Sequence, residues 1–188
     1  MELFGSLRQK AGRMILRNRL SSVRRLQPGF DIEKVKKVGI LWDATFEKDF
    51  QHLAALNRQL IEMDKSVEVL TWVPGKSVPD RLTGLSYMKF LKKEDLNWVF
   101  IPTSGDAKEF IHSKFDLIID INPSSLFQLM YITSMSAAPM KVGPDISDEP
   151  EKKPYDLMIK TARPFSIAFF LEQAMYYLTM ISGPGSRA

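Results

Sequence analysis

Short unbroken apolar runs, each ending near a polar residue and most leading into a helical pattern, recur along this 188-residue chain and constrain its fold more than any other feature. KVGILWD at Lys37 to Asp43 is the first. EKDFQHLAALNRQLIEM follows with Phe50, Leu53, Leu56, Leu60 and Ile61 at helical spacing. VEVLTW at Val67 to Trp72 reads as a second strand, and the Pro- and Gly-containing WVPGKSVPDRLTG as a loop. LNWVFIP around Leu96 to Ile101 reads as a third strand, with a short helix from Asp106 to His112 behind it. FDLIID at Phe115 to Asp120 is the clearest strand, and PSSLFQLMYITSM gives a helix beginning near Pro123. MKVG at Met140 and YDLMIK at Tyr155 add two more, separated by the acidic, Pro-bounded loop PDISDEPEKKP. Continuous apolar strands are buried on both faces, which calls for a mostly parallel sheet covered by helices. The expected fold is therefore α/β, a single Rossmann-like sheet of five or six strands.

The closing stretch RPFSIAFFLEQAMYYLTMI starts near Pro164 and stops before Gly183-Pro184. It is apolar around nearly its whole circumference. Glu172 and Gln173 sit in its middle, and a bilayer span needs roughly 20 apolar residues, so a buried helix, or one packed in a homodimer, is the expectation. Apolar content of 45% supplies a real core, and the absence of cysteine excludes disulfide frameworks and Cys-ligated zinc. His52 and His112 alone build no common zinc site, so no metal is expected.

Charge is unevenly distributed. The first 25 residues carry seven Lys or Arg against Glu2 alone, a net charge of +6, whereas the remainder sums to −2. Leu3, Leu7, Met14 and Ile15 suit one helix face, with Phe4 and Ala11 on its flanks, so the arm is expected to be a basic amphipathic helix. Its basic residues interrupt any secretory signal, although an Arg-rich, acid-poor arm is also the character of an organelle transit peptide. The turn signal QPGF, Gln27 to Phe30, separates it from the body. The division expected is an arm and turn over 1–30, an α/β domain over 31–182 and a tail over 183–188. Arg8, Lys10, Arg13, Arg17, Arg19, Arg24 and Arg25 are the candidate polyanion-binding residues, because like charges this dense repel unless an anion is near.

In a parallel open sheet ligands sit at the carboxyl ends of the strands, at the topological switch point. That rule marks Asp43, Thr103, Ser104, Asp120, Asn122 and Ser124 as a candidate ligand site. Two carboxylates meeting there have the chemistry of an acid and base pair or a cation site, while Ser, Asp and Asn at strand ends also serve as ordinary helix caps. No G-x-G-x-x-G follows the first strand and no G-x-x-x-x-G-K-[ST] occurs, so no nucleotide cofactor is expected. Ser124 lacks a G-x-S-x-G context. His52 falls three residues after Asp49 on the expected first helix, a spacing at which an aspartate can orient an imidazole and at which incidental surface pairs are also common.

The stretch FDLIIDINPSSLFQLMYITSMSAAPMKVGPD, Phe115 to Asp145, resembles the N-terminal Rossmann-like half of heptosyltransferase-type glycosyltransferases, where a YDLVIDL strand, a helix and a SGAPRRIG turn and strand follow one another. In KDFQHLAAL, Lys48 to Leu56, the likeness puts Asp49 in the place of that family's base, with Lys48 where the family has glycine. The family's donor-binding domain has no counterpart. The chain as a whole, from the basic arm through GILWD and FDLIIDIN to AFFLEQAMYYL, resembles small uncharacterised proteins of Bacteroidota, which implies a bacterial, cytoplasmic protein rather than one bearing a transit peptide.

The leading expectation is a non-catalytic adaptor whose basic helix docks on RNA or a ribonucleoprotein such as the ribosome. The alternative is peripheral attachment to the inner membrane, with Leu3, Phe4, Leu7, Met14 and Ile15 inserted and the arginines at anionic headgroups. A third reading is a glycosyltransferase-like half-domain completed by a partner chain.

Overall fold

The computed structural model describes residues 2–26, 29–75, 77–146 and 154–182, with side chains from Gly5 onward except those of 46 and 47. Six parallel strands form one sheet in the order β3-β2-β1-β4-β5-β6: β1 Lys37–Asp43, β2 Ser66–Trp72, β3 Met88–Leu91, β4 Leu117–Ile121, β5 Met140–Asp145 and β6 Leu157–Lys160. The chain first builds outward from β1 to β3, then returns to place β4 against the other side of β1, so the switch point lies between these two central strands. Val38 pairs with Leu117 and Trp42 with Ile121.

Alternate residues of each central strand feed two apolar layers. Val38, Ile40 and Trp42 of β1, with Leu117, Ile119 and Ile121 of β4, pack under α2 (Phe50–Glu62) and α6 (Ile167–Ile181). Leu41 and Ile118 face the opposite way, onto α4 (Gly105–His112) and α5 (Phe127–Met135). The segment expected as a plain loop after β2 contains one short helix, α3 (Asp80–Thr83).

Two local expectations fail for identifiable reasons. Leu96 to Ile101 is not a strand; β3 is the earlier MKFL. Asn97 folds 97–101 on itself, its Oδ1 accepting the Val99 and Ile101 amides at 3.1 and 3.0 Å, and Phe100 has φ +64°. Those donors are thereby withdrawn from any ladder, and Val99 and Ile101 go into a third apolar cluster instead. Similarly, α5 begins at Phe127 rather than near Pro123, because the Asn122 side chain closes a loop on both the amide and the carbonyl of Leu126 and Ser125 has φ +51°.

The basic arm forms α1 (Glu2–Leu20) and is docked on the body. Gly12 is the closest point: an added Cβ would overlap the Val99 carbonyl and the Phe127 ring. Leu16 is buried beside it with Phe127 and Tyr131, and Ala11 and Ile15 pack at the edge. The docked face is thus not the stripe expected. Leu7 and Met14, assigned to that stripe with Ile15, are 59% and 63% exposed; the side chains of Leu3 and Phe4, like the whole of Gln27, Pro28, Gly183 and Pro184 and most of the acidic loop, lie outside the described residues. Gly12→Leu replaces a poor helix former with a good one, so any loss of stability reports the overfilled contact; it is expected to destabilise by roughly 1–3 kcal/mol, read as a lower urea midpoint. An unchanged midpoint would mean that α1 contributes nothing to the fold.

Candidate functional site

At the switch point β1 and β4 carry their carboxylates on one face. Leu41 is in register with Asp120, and Asp43 stands one pleat further along, so both project toward the layer that contains α5. Both are fully buried. Asp43 Oδ1 accepts the Thr45 amide at 3.0 Å and Oδ2 accepts the Ser124 hydroxyl at 2.8 Å. Asp120 Oδ2 accepts two hydroxyls, Thr133 from α5 and Tyr155 from the approach to β6, each at 2.8 Å. Its Oδ1 is enclosed with no partner among the described residues.

Burial is the main force on the Asp120 proton, pushing the carboxyl up to about 6; the Tyr155 and Thr133 hydroxyls oppose it, and the charge of Asp43 adds to it. Tyr155 is pushed well above its usual value by burial and by the neighbouring Asp120 charge. Glycine at 143 makes room for Tyr155, since a Cβ there would overlap one edge of the phenol ring. This is a carboxylate pair able to hold a proton near neutrality.

Of the other residues marked from the sequence, only Ser124 joins it. Ser104 caps α4 by accepting the Ala107 amide, and Thr103 bonds the Asp95 carbonyl, so both serve the loop that leads into α4. Asn122 shapes the turn before α5 and Ser124 alone reaches Asp43. Asp49 stands at the start of α2 without a side-chain capping bond. Thr133 and Tyr155 were not singled out from the sequence; their positions relative to Asp120 depend on tertiary packing. Lys141 was missed as well, although a lysine inside an apolar strand run is a readable signal. It is buried, with Nζ 3.4 Å from the Ser134 carbonyl. Burial, then the Arg25 charge, lower its ammonium to about 7, against Asp156.

The seven basic residues of the arm divide into two sets. Arg8 donates to the Trp98 carbonyl and lies 4.5 Å from the Phe100 ring centroid, and Arg13 is 6.0 Å from that of Phe127. Arg19 donates to the Tyr131 hydroxyl at 2.6 Å. Arg25 donates to the Ala138 and Pro139 carbonyls at 2.9 and 3.0 Å and pairs with Asp156. Four of the seven are therefore turned to the body, whereas Lys10, Arg17 and Arg24 face solvent. No helix among the described residues is long and apolar enough to cross a membrane.

Residues 8–181 match the model of DUF6913, a family of unknown function, and the chain belongs to that family. No curated protein matches the chain.

Asp120 gives a pH signature. Its carboxyl is raised from 3.8 to about 6, so the native state holds a proton that the unfolded chain has released, and stability falls as pH rises through that window. Asp120→Asn removes the slope while leaving an oxygen for the two hydroxyls. Between pH 5 and pH 8 the wild type is expected to lose roughly 1–2 kcal/mol relative to the variant, measured by urea unfolding at both pH values. A constant difference would mean that Asp120 does not titrate there. Tyr155→Phe removes a donor to the carboxylate and should move the midpoint higher still.

Proposed function

We propose that this member of the DUF6913 family is a non-catalytic protein that attaches peripherally to an anionic membrane surface through the outward face of α1. One observation carries the reading: the apolar residues Leu7 and Met14 are exposed, and at 100° per residue they fall on the side of α1 opposite Gly12 and Leu16. Lys10 and Arg17, both exposed, flank them on that same side. A solvated helix gains nothing by exposing two large apolar side chains between cations, whereas a lipid interface accepts both, the apolar groups below the headgroups and the cations among them. This reading fits a bacterial cytoplasmic protein at the inner membrane.

RNA binding, favoured by the charge of the arm, has less support from the geometry, because Arg8, Arg13, Arg19 and Arg25 are engaged with the body. Nor does the likeness to a heptosyltransferase half supply a mechanism, since Asp49 and the Asp43 and Asp120 pair have no hydrogen bond in common among the described residues.

Flotation with vesicles of zwitterionic lipid, alone and mixed with phosphatidylglycerol, tests the reading. Binding to the anionic vesicles alone is expected. Leu7→Ser and Met14→Ser, at exposed positions that should leave folding within about 0.5 kcal/mol, should each weaken binding by roughly tenfold. Lys10→Glu with Arg17→Glu should weaken it further, most at low salt. Absence of flotation, together with RNA binding that falls on charge reversal but ignores both serines, would overturn the proposal in favour of RNA.

A further inference from the structure

A second feature lies at the opposite end of the sheet from Asp43 and Asp120. Residues 29–35, which lead into β1, lie beside the amino-terminal ends of β4, β5 and β6, and between them opens a cavity of about 590 Å³. Phe30 and Val35 of that segment and Pro139 and Met140 at the start of β5 supply the apolar wall; Asp31, Asp116 and Asp156 supply the polar one. The volume falls within the range of small-molecule sites, which combine apolar walls with a few placed polar groups.

The carboxylates are not equivalent. Asp31 pairs with Lys34, the one cation among the described lining residues, at 3.3 Å. Asp156 pairs with Arg25 and accepts the Lys141 amide at 2.9 Å. Among the described residues Asp116 meets no cation and its Oδ1 has no partner; its Oδ2 accepts the Lys36 and Lys37 amides, each at 2.9 Å. The two amides explain why an aspartate stands there and fix its orientation, yet they leave one carboxylate oxygen and its negative charge at the edge of an apolar hollow. A single uncompensated anion beside apolar walls complements a single cation on an apolar body.

We propose that this cavity binds a small monovalent organic cation, an ammonium or amidinium group against Asp116 with its apolar body on Phe30, Val35, Pro139 and Met140. Divalent metal is disfavoured, because among the described residues no group of three or more His, Cys, Asp or Glu side chains is placed to hold one. An anionic ligand would meet Asp116 directly.

Three isosteres of different charge form the test: tryptamine, tryptophol and indole-3-acetate, titrated into the full chain and followed by amide chemical shifts. Tryptamine is expected to bind at least about tenfold more tightly than tryptophol, the worth of a charge-assisted hydrogen bond, with indole-3-acetate weakest, and to shift the Gly29, Asp31, Asp116 and Met140 amides. Asp116→Asn keeps an acceptor for the two strand amides and should bring tryptamine down to the level of tryptophol. Met140→Lys, which sets an ammonium within the cavity, should abolish tryptamine binding, so the result does not depend on one variant folding. Equal affinity for amine and alcohol, shifts confined to other residues, or tryptamine binding that survives either substitution would overturn the proposal.

Discussion

The parallel pairing of β1 with β4 is the contact on which the rest of the molecule depends. It joins the two halves of the sheet, and its residues supply both apolar layers, so each helix that covers the sheet is packed directly or indirectly against it. Because both strands are buried on both faces, neither can slip by one residue without driving Asp43 and Asp120 into the layer under α2 and α6 and two apolar residues into their places. The pair of carboxylates therefore acts as a register mark as well as a candidate site. Ser124 and Thr133, each bonded to one of them, extend that mark into the loop before α5 and into α5 itself.

Most of this arrangement could be read from the chain, because a parallel sheet writes its central strands as continuous apolar runs. β1, β2 and β4 follow the runs KVGILWD, VEVLTW and FDLIID closely, and Asp43 and Asp120 stand at the carboxyl ends of neighbouring strands as the alternation implied. Two of the misreadings share one cause: a polar side chain that takes backbone hydrogen bonds. Asn97 diverts an apolar run from the sheet and Asn122 delays a helix, and neither effect changes the hydrophobic pattern on which a strand or helix assignment rests. Edge strand β3, only four residues long and partly exposed, carries too little pattern to compete with LNWVFIP. The site was legible in its two aspartates, which topology places, and not in Thr133 or Tyr155, which only packing places.

Charge in the arm was legible as a number but not as a set of contacts. Counting seven cations suggests a surface that repels itself; the structure disperses four of them onto carbonyls, hydroxyls and aromatic rings of the body. Such groups stabilise a guanidinium through its planar fork and its weak hydration, which explains why the inward-facing members are all arginines while the single lysine of the arm, a strongly hydrated point charge, points outward. Side-chain chemistry thus sorts the arm into a docking set and a surface set, a division that net charge conceals.

The same sorting explains how α1 carries apolar residues on two sides. Gly12 removes the steric obstacle to close approach, and Leu16 together with the flanking Ala11 and Ile15 is enough to hold the helix to Phe127 and Tyr131, so docking does not require Leu7 or Met14. Were the helix only a structural brace, its outer face would be free to consist of polar residues at no cost to packing, as the exposed faces of surface helices ordinarily do. Instead the outer face alternates large apolar side chains with Lys10 and Arg17. Docking against Phe127 and Tyr131 leaves that outer face on the side of α1 away from the body, so the proposed membrane contact requires no rearrangement of the docked one.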